Sequence, residues 1–281
     1  MKLRDKYFYI MKLNLKNKIR FVVPALLFYA TLDIFFKSFG FSIGAIIVLF
    51  LISGFSAFWI TSYKYLPVVL SILLATGSVA FLLTIGQSAM QQFFIVFVSI
   101  LFAITMVGLY RFFTPKEERP QADQVKLLDS GFNLNQAITM FSIFFLSSGI
   151  YGIYSVANIH SWQLLIIMFM GIYFSSFYLT KINFLKSQEL ELHLDYYKNR
   201  SLNFYSFLLA LLMLELIWTM TFLPINQLTF GAIVLTIFFS YWNIVRGYLR
   251  GELTRRKFIG EVAFAITTTL IILLTSKLYI N

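Results

Sequence analysis

Apolar residues in this chain are gathered into long runs separated by short polar segments, and hydropathy changes from run to segment more sharply than within either. Nine runs stand out, at residues 21–36, 41–61, 66–85, 93–113, 137–157, 162–179, 204–222, 230–244 and 258–278. A bilayer core about 30 Å thick requires about 20 apolar residues in a helix, so each run reads as one membrane crossing. The first and eighth are the shortest, and the first holds Pro24 near its start and Asp33 near its end. The pattern predicts an all-α, polytopic integral membrane helix bundle of about nine transmembrane helices.

The polar segments orient that bundle, because lysine and arginine are held on the cytoplasmic side of a membrane. With the N-terminus inside, the inner segments carry Lys2, Arg4, Lys6, Lys12, Lys16, Lys18 and Arg20, then Lys64, then Arg111, Lys116, Arg119 and Lys126. Further along they carry Lys181, Lys186, Lys198 and Arg200, and finally Arg246, Arg250, Arg255, Arg256 and Lys257. The outside keeps only Lys37 and Lys277. A missed or invented span would scramble every later assignment, so the nine spans, the cytoplasmic N-terminus and the outer C-terminus support one another. The organisation expected is a basic cytoplasmic segment over 1–20 and one transmembrane domain over 21–281. Its inner loops fall near 114–136, 180–203 and 245–257; the first of these, with Pro115 and Pro120 among mixed charges, reads as a plain linker.

Composition agrees and removes several functions. The chain of 281 residues is 59% hydrophobic and only 12% charged, against roughly 25% charged in an average soluble protein. The absence of cysteine excludes disulfides, thiolate-bound zinc, iron–sulfur clusters and thiol catalysis. With His160 and His193 the only histidines, no metal site and no cofactor is expected. The net charge of +11 would suggest nucleic acid in a soluble protein. Sorted by side, it is a basic cytoplasmic face under a nearly neutral exterior, so the expected partners are the lipid bilayer, anionic headgroups at the cytoplasmic face, and other membrane or cytoplasmic proteins, with no nucleic acid. The expected location is the cell (cytoplasmic) membrane.

Ionisable residues inside the spans draw attention, since leaving one unpaired in hydrocarbon is costly. Asp33 has a local explanation in Lys37, four residues on. Glu261 falls in the first turn expected for the ninth span, where a carboxylate suits the helix dipole. Glu215 has neither excuse, lying near the middle of the seventh span among Leu211, Leu212, Met213, Leu214, Leu216 and Ile217. Thr267, Thr268 and Thr269 fall at broadly matching depth in the ninth span, so these four residues are the expected substrate or ion pathway. A second constellation is basic. Arg246 and Arg250 share a helix face four residues apart, next to Gly247 and Gly251 and followed by Arg255, Arg256 and Lys257, a set suited to a phosphate or pyrophosphate headgroup.

Other patterns are weaker. Glu189, Glu191, His193 and Asp195 alternate in a way that could hold a metal, but a solvated polar face accounts for them. Gly40-Phe41-Ser42-Ile43-Gly44 fits G-x-S-x-G but opens a membrane span instead of joining a strand to a helix, so it reads as helix packing. No phosphate-binding P-loop and no H-E-x-x-H occurs. The leading expectation is a transporter-like or translocation-associated protein with a membrane-embedded carboxyl at Glu215. One alternative is a membrane enzyme acting on a lipid-linked phosphate at the inner leaflet, with Glu252 or Asp195 as base; another is a non-catalytic subunit or scaffold.

Overall fold

A computed structural model of the protein describes residues 15–37, 43–62, 64–86, 88–114, 124–157, 160–189 and 202–276. Those residues form nine helices and no strand: α1 Leu15–Lys37, α2 Ile43–Ile60, α3 Leu66–Leu82, α4 Ser88–Phe113, α5 Gln124–Ala157, α6 Ser161–Glu189, α7 Leu202–Met220, α8 Gln227–Leu249 and α9 Arg255–Thr275. Each expected span has its helix. Seven are long and apolar enough to cross a membrane, and the protein is a multi-pass helical membrane bundle.

The element lengths differ from expectation in an informative way. The first and eighth helices, short as apolar runs, are each 23 residues long, about 35 Å at 1.5 Å per residue. The shorter apolar helices are α2 and α3. At the other extreme, α5 is 34 residues long and begins 13 residues before its apolar run, while α6 continues ten residues past its own. Much of what reads as loop near 114–136 and 180–203 is therefore helix.

These extensions hold together because their polar groups find partners on neighbouring helices. Lys186 Nζ on α6 lies 2.6 Å from Asp129 Oδ1 on α5 and 4.4 Å from the centre of the Phe132 ring. Arg111 at the end of α4 donates to Ser130 Oγ on α5 at 2.9 Å. Beneath these pairs Leu128 and Phe132, one turn apart on α5, are buried. The extension is an amphipathic helix end seated on its neighbours.

The central element is α5, which packs against α3, α4, α6 and α8. Helices α1 to α4 form one flank through successive contacts closed by α1 against α4, while α6, α7 and α8 form the other. Close approach around α5 rests on missing side chains. A Cβ at Gly149 would collide with the backbone of Ala80 and Phe81 on α3, and one at Gly77 on α3 would stand 2.8 Å from the carbonyl oxygen of Ser142. Small residues at helix contacts are the general means by which membrane helices gain dispersion contacts when the hydrophobic effect no longer separates protein from lipid. Stacked rings fill the flanks, Phe28 on Phe102 at 4.3 Å and Tyr151 on Phe230 at 4.1 Å between centroids. Buried hydroxyls mostly bond back along their own helix, as Ser147 does to the Ile143 carbonyl at 2.7 Å and Ser176 to that of Ile172 at 2.7 Å, which satisfies them without water.

Contacts between helix ends bear on the alternation inferred from charge. At the basic end Arg20 of α1 lies 5.5 Å from the Trp59 ring of α2. Lys64, between α2 and α3, donates to the Phe113 carbonyl of α4 at 3.2 Å. The Arg111, Asp129, Lys186 and Arg250 contacts lie at this end as well. At the opposite end Asp33 accepts from Lys37 at 2.7 Å and from Gln92 at the start of α4 at 2.9 Å, and Tyr151 donates to the Leu223 carbonyl at 3.4 Å. Basic segments thus converge at one end of an up-and-down bundle.

Two outcomes are expected from this packing. Gly149→Val forces α3 from α5 and abolishes a monodisperse folded species in detergent size-exclusion chromatography, whereas Gly86→Ala, with open space at its Cβ, leaves elution and thermal unfolding unchanged. Single cysteines placed in this cysteine-free chain report the orientation: in intact cells, Thr221→Cys reacts with a membrane-impermeant maleimide and Glu252→Cys reacts only after permeabilisation. The reverse labelling pattern sinks the assignment.

Candidate functional site

The region between α8 and α9 shows how a short sequence fixes several cations in place. Helix α8 ends in a Schellman motif: Glu252 N–H donates to the Gly247 carbonyl at 2.9 Å and Gly251 N–H to that of Tyr248 at 3.1 Å. The motif places Gly251 at φ 70°, in the left-handed region that glycine enters without steric cost. Three residues later Thr254 caps α9, its hydroxyl oxygen accepting from Lys257 N–H at 3.3 Å. The chain therefore reverses within the five residues 250–254, and the last turn of α8 faces the first turns of α9.

A cleft of about 570 Å³ lies there, within the range of small-molecule sites. Arg246, Arg250 and Lys257 line it, with the carboxylates of Glu252 and Glu261 and the amide of Asn243. Phe239 and Phe264 line it at the end away from the turn, their rings 6.4 Å apart and edge to face. Helix α9 packs on α8 and makes no other extended contact, and none of its residues is buried. The cleft is thus walled by two helices and a turn.

Arg250 reaches from the cleft to the α6 extension. It donates through Nη2 to Asn183 Oδ1 at 2.6 Å, and Asn183 is wholly buried on the α6 extension. Its Nε is also shielded from solvent and has no partner among the described residues. An amide acceptor orients a guanidinium without neutralising it, so Arg250 keeps its full charge beside the cleft. Asn243 donates to Glu261 Oε2 at 3.3 Å, tying α8 to α9.

Not every expected residue joins this arrangement. Of the five basic residues, Arg246, Arg250 and Lys257 line the cleft, whereas Arg255 and Arg256 are exposed and are not part of its lining. Since α9 begins at Arg255, Glu261 stands in its second turn, not its first, and meets Asn243 instead of the free N–H groups. The first turn of α9 accordingly holds three cations and no acid, the unfavourable sign for a helix dipole.

The residues of the expected pathway are dispersed. Glu215 is exposed on α7. Thr267 is exposed and Thr268 and Thr269 half-buried on α9, with Thr269 Oγ1 shielded and unpartnered among the described residues. Both helices touch α8, but no extended contact joins α7 to α9. The alternating set at Glu189 to Asp195 falls, beyond Glu189 itself, outside the described residues, as do Gly40 and Ser42 of the G-x-S-x-G match. No group of three or more histidine or acidic side chains suited to a metal occurs among the described residues.

No family model, no curated protein and no solved structure matches this chain. The chemistry of the cleft is therefore read from its own residues. Asn183 and Asn243 are members that inspection of the sequence missed. Asn243 carried a signal, standing three residues before Arg246 on the same helix face, whereas Asn183 lies 67 residues from the arginine it holds.

Removing the amide acceptor isolates that contact. Asn183→Leu is expected to cost about 2 kcal/mol, the scale of a hydrogen bond to a charged group, read as a lowered unfolding midpoint in detergent. In a double-mutant cycle Arg250→Met should then add little further loss; full additivity of the two substitutions speaks against the contact.

Proposed function

We propose that this chain is a multi-pass protein of the cytoplasmic membrane that binds the phosphate or pyrophosphate headgroup of a lipid-linked molecule at its cytoplasmic face. The observation that carries the reading is the layering of the cleft. Arg246, Arg250 and Lys257 line it near the turn, and Phe239 and Phe264 line it farther along the two helices. Each phenylalanine is seven residues from a basic residue of its own helix, about 10 Å toward the hydrocarbon. An amphiphile fits that order, with its phosphate among the cations and its chain against the rings. Guanidinium groups suit the phosphate because their planar N–H donors match its oxygens.

Two carboxylates in the lining moderate its charge. Three cations against Glu252 and Glu261 leave the lining at a formal net charge of +1, so attraction depends on donor geometry more than on bulk potential. The alternative pathway through Glu215 and Thr267, Thr268 and Thr269 finds no surface that these residues share.

Binding to the purified protein in nanodiscs tests the reading. A polyprenyl pyrophosphate should bind to the unsubstituted protein at least about tenfold more tightly than to Arg246→Gln/Arg250→Gln, the loss of one or more charge-assisted hydrogen bonds. Arg255→Gln/Arg256→Gln should bind as the unsubstituted protein does. Inorganic pyrophosphate should bind more weakly than the lipid, since it lacks the chain that the rings receive. Equal affinity of the double arginine variant and the unsubstituted protein sinks the proposal.

A further inference from the structure

Helices α8 and α9 run antiparallel, and each carries a polar residue at every seventh position of one line along its length. On α8 these are Thr229, Thr236, Asn243 and Arg250; on α9 they are Glu261, Thr268 and Thr275. Seven residues make nearly two full turns, so each step rises about 10 Å and stays on one face. The Asn243–Glu261 hydrogen bond fixes the register between the two lines. Seven residues back on α8 and seven forward on α9 then set Thr236 against Thr268, and seven more set Thr229 against Thr275. The last pair confirms the register, because both threonines line a second cleft, of about 370 Å³, together with Asn226 and Ser276.

This polar ladder is as long as the bilayer is thick. Arg250 and Thr229 are separated by 21 residues, about 32 Å along the axis, against about 30 Å of hydrocarbon. It opens at the basic end into the headgroup cleft and at the opposite end into the smaller one. Its hydroxyls do not fasten the helices together. Thr236 donates to the Ala232 carbonyl at 2.8 Å and Thr275 to that of Ile271 at 2.8 Å, each along its own helix. A hydroxyl satisfied in this way exchanges that bond for one to an incoming phosphate oxygen at little cost. Thr236 and Thr268 are half-buried, and α9 has no buried residue and packs on α8 alone, so the seam lies at the boundary between protein and lipid.

We propose that the α8–α9 seam carries the phosphate-bearing head of a membrane lipid between the two leaflets while the lipid's chains stay in the bilayer. The inference rests on the headgroup reading for its cytoplasmic end. The head enters among Arg246, Arg250 and Lys257, passes the hydroxyls of Thr236 and Thr268, and leaves by the cleft of Thr229 and Thr275. Between the first two rungs the rings of Phe239 and Phe264 are in contact, and they form the constriction that must part. A helix without buried residues yields there more readily than any that bears on α5. The crossing is an equilibration in either direction, driven by the lipid's own gradient.

Crossing and binding are measured separately on the full-length protein. Phosphatidylcholine vesicles hold the protein and a polyprenyl pyrophosphate labelled in its terminal phosphate, and a phosphatase added outside releases label from the outer leaflet. Without protein, release should stop at the outer-leaflet share; with protein it should run to completion. Thr236→Val/Thr268→Val keeps the branched shape and removes both hydroxyls. It should slow the continuing phase at least about tenfold, the loss of hydrogen bonds to a charged group, and leave lipid binding in nanodiscs unchanged. Thr236→Ser/Thr268→Ser should restore the rate, and Thr219→Val, exposed on α7, should not alter it. The inference is overturned if release stops at the outer-leaflet share with the unsubstituted protein, or if the valine variant crosses at the unsubstituted rate. In both cases normal binding in nanodiscs leaves the headgroup reading standing. Unaltered binding by Arg246→Gln/Arg250→Gln overturns the headgroup reading, and this inference with it.

Discussion

The backbone of α5 lies directly against its neighbours, and the rest of the architecture depends on that approach. In water a helix of this kind would be driven inward by the removal of apolar surface; in lipid that drive is absent, and association must come from dispersion and hydrogen bonds at short range. Gly149 and Gly77 let α3 and α5 meet without intervening side chains, and Gly131 near the start of α5 does the same for α4, with the Phe112 amide nitrogen 2.7 Å from where its Cβ would be. Contacts of this length cannot be adjusted gradually. They set the axis on which α4, α6 and α8 are arranged, and through α8 they set the position of α9.

Because α5 is rigidly seated and longer than the apolar layer, it also organises the basic end. Its extension presents Asp129 and Ser130 where α6 and α4 deliver Lys186 and Arg111. A partly exposed ion pair such as Lys186–Asp129 contributes little to stability singly, and its effect here is geometric: it holds the α6 extension, which carries Asn183 to Arg250, against α5. A contact between α5 and α6 thus reaches the cleft through one more helix. The Schellman turn at Gly251 supplies the other half of that geometry from local sequence alone.

Hydropathy made the nine apolar helices legible and misjudged where helices stop. It records where lipid would be tolerated, which is a different question from where backbone hydrogen bonding ends. Leu128 and Phe132, one turn apart among polar residues, are the signal for the α5 extension, and periodicity would have found it where a count of apolar residues could not. The face that α7 turns outward was not legible for a different reason. In lipid both faces of a peripheral helix are apolar, and Met213 beside Leu212 gives no clue to which one meets protein. Arg246, Arg250 and Lys257 were legible as a group because spacing and charge are local properties. Their partner Asn183 depends on tertiary packing that nothing in the neighbouring sequence encodes.

The same packing makes the bundle unequal in its parts. Helices bearing on α5 are interlocked by backbone contact, whereas α9 has no buried residue and is joined to α8 by the Asn243–Glu261 hydrogen bond, the Phe239–Phe264 ring contact and the ordinary contact of two helices. Local stability follows contact density, so α9 belongs to the end of the molecule that opens most easily. Its first turn adds to this, with Arg255, Arg256 and Lys257 set against the positive end of their own helix dipole. An anion held between Arg246 or Arg250 and Lys257 offsets that repulsion and bridges the two helices at once. Under the headgroup reading, ligand binding and the seating of α9 on α8 are therefore linked, and whatever favours one favours the other by the same free energy.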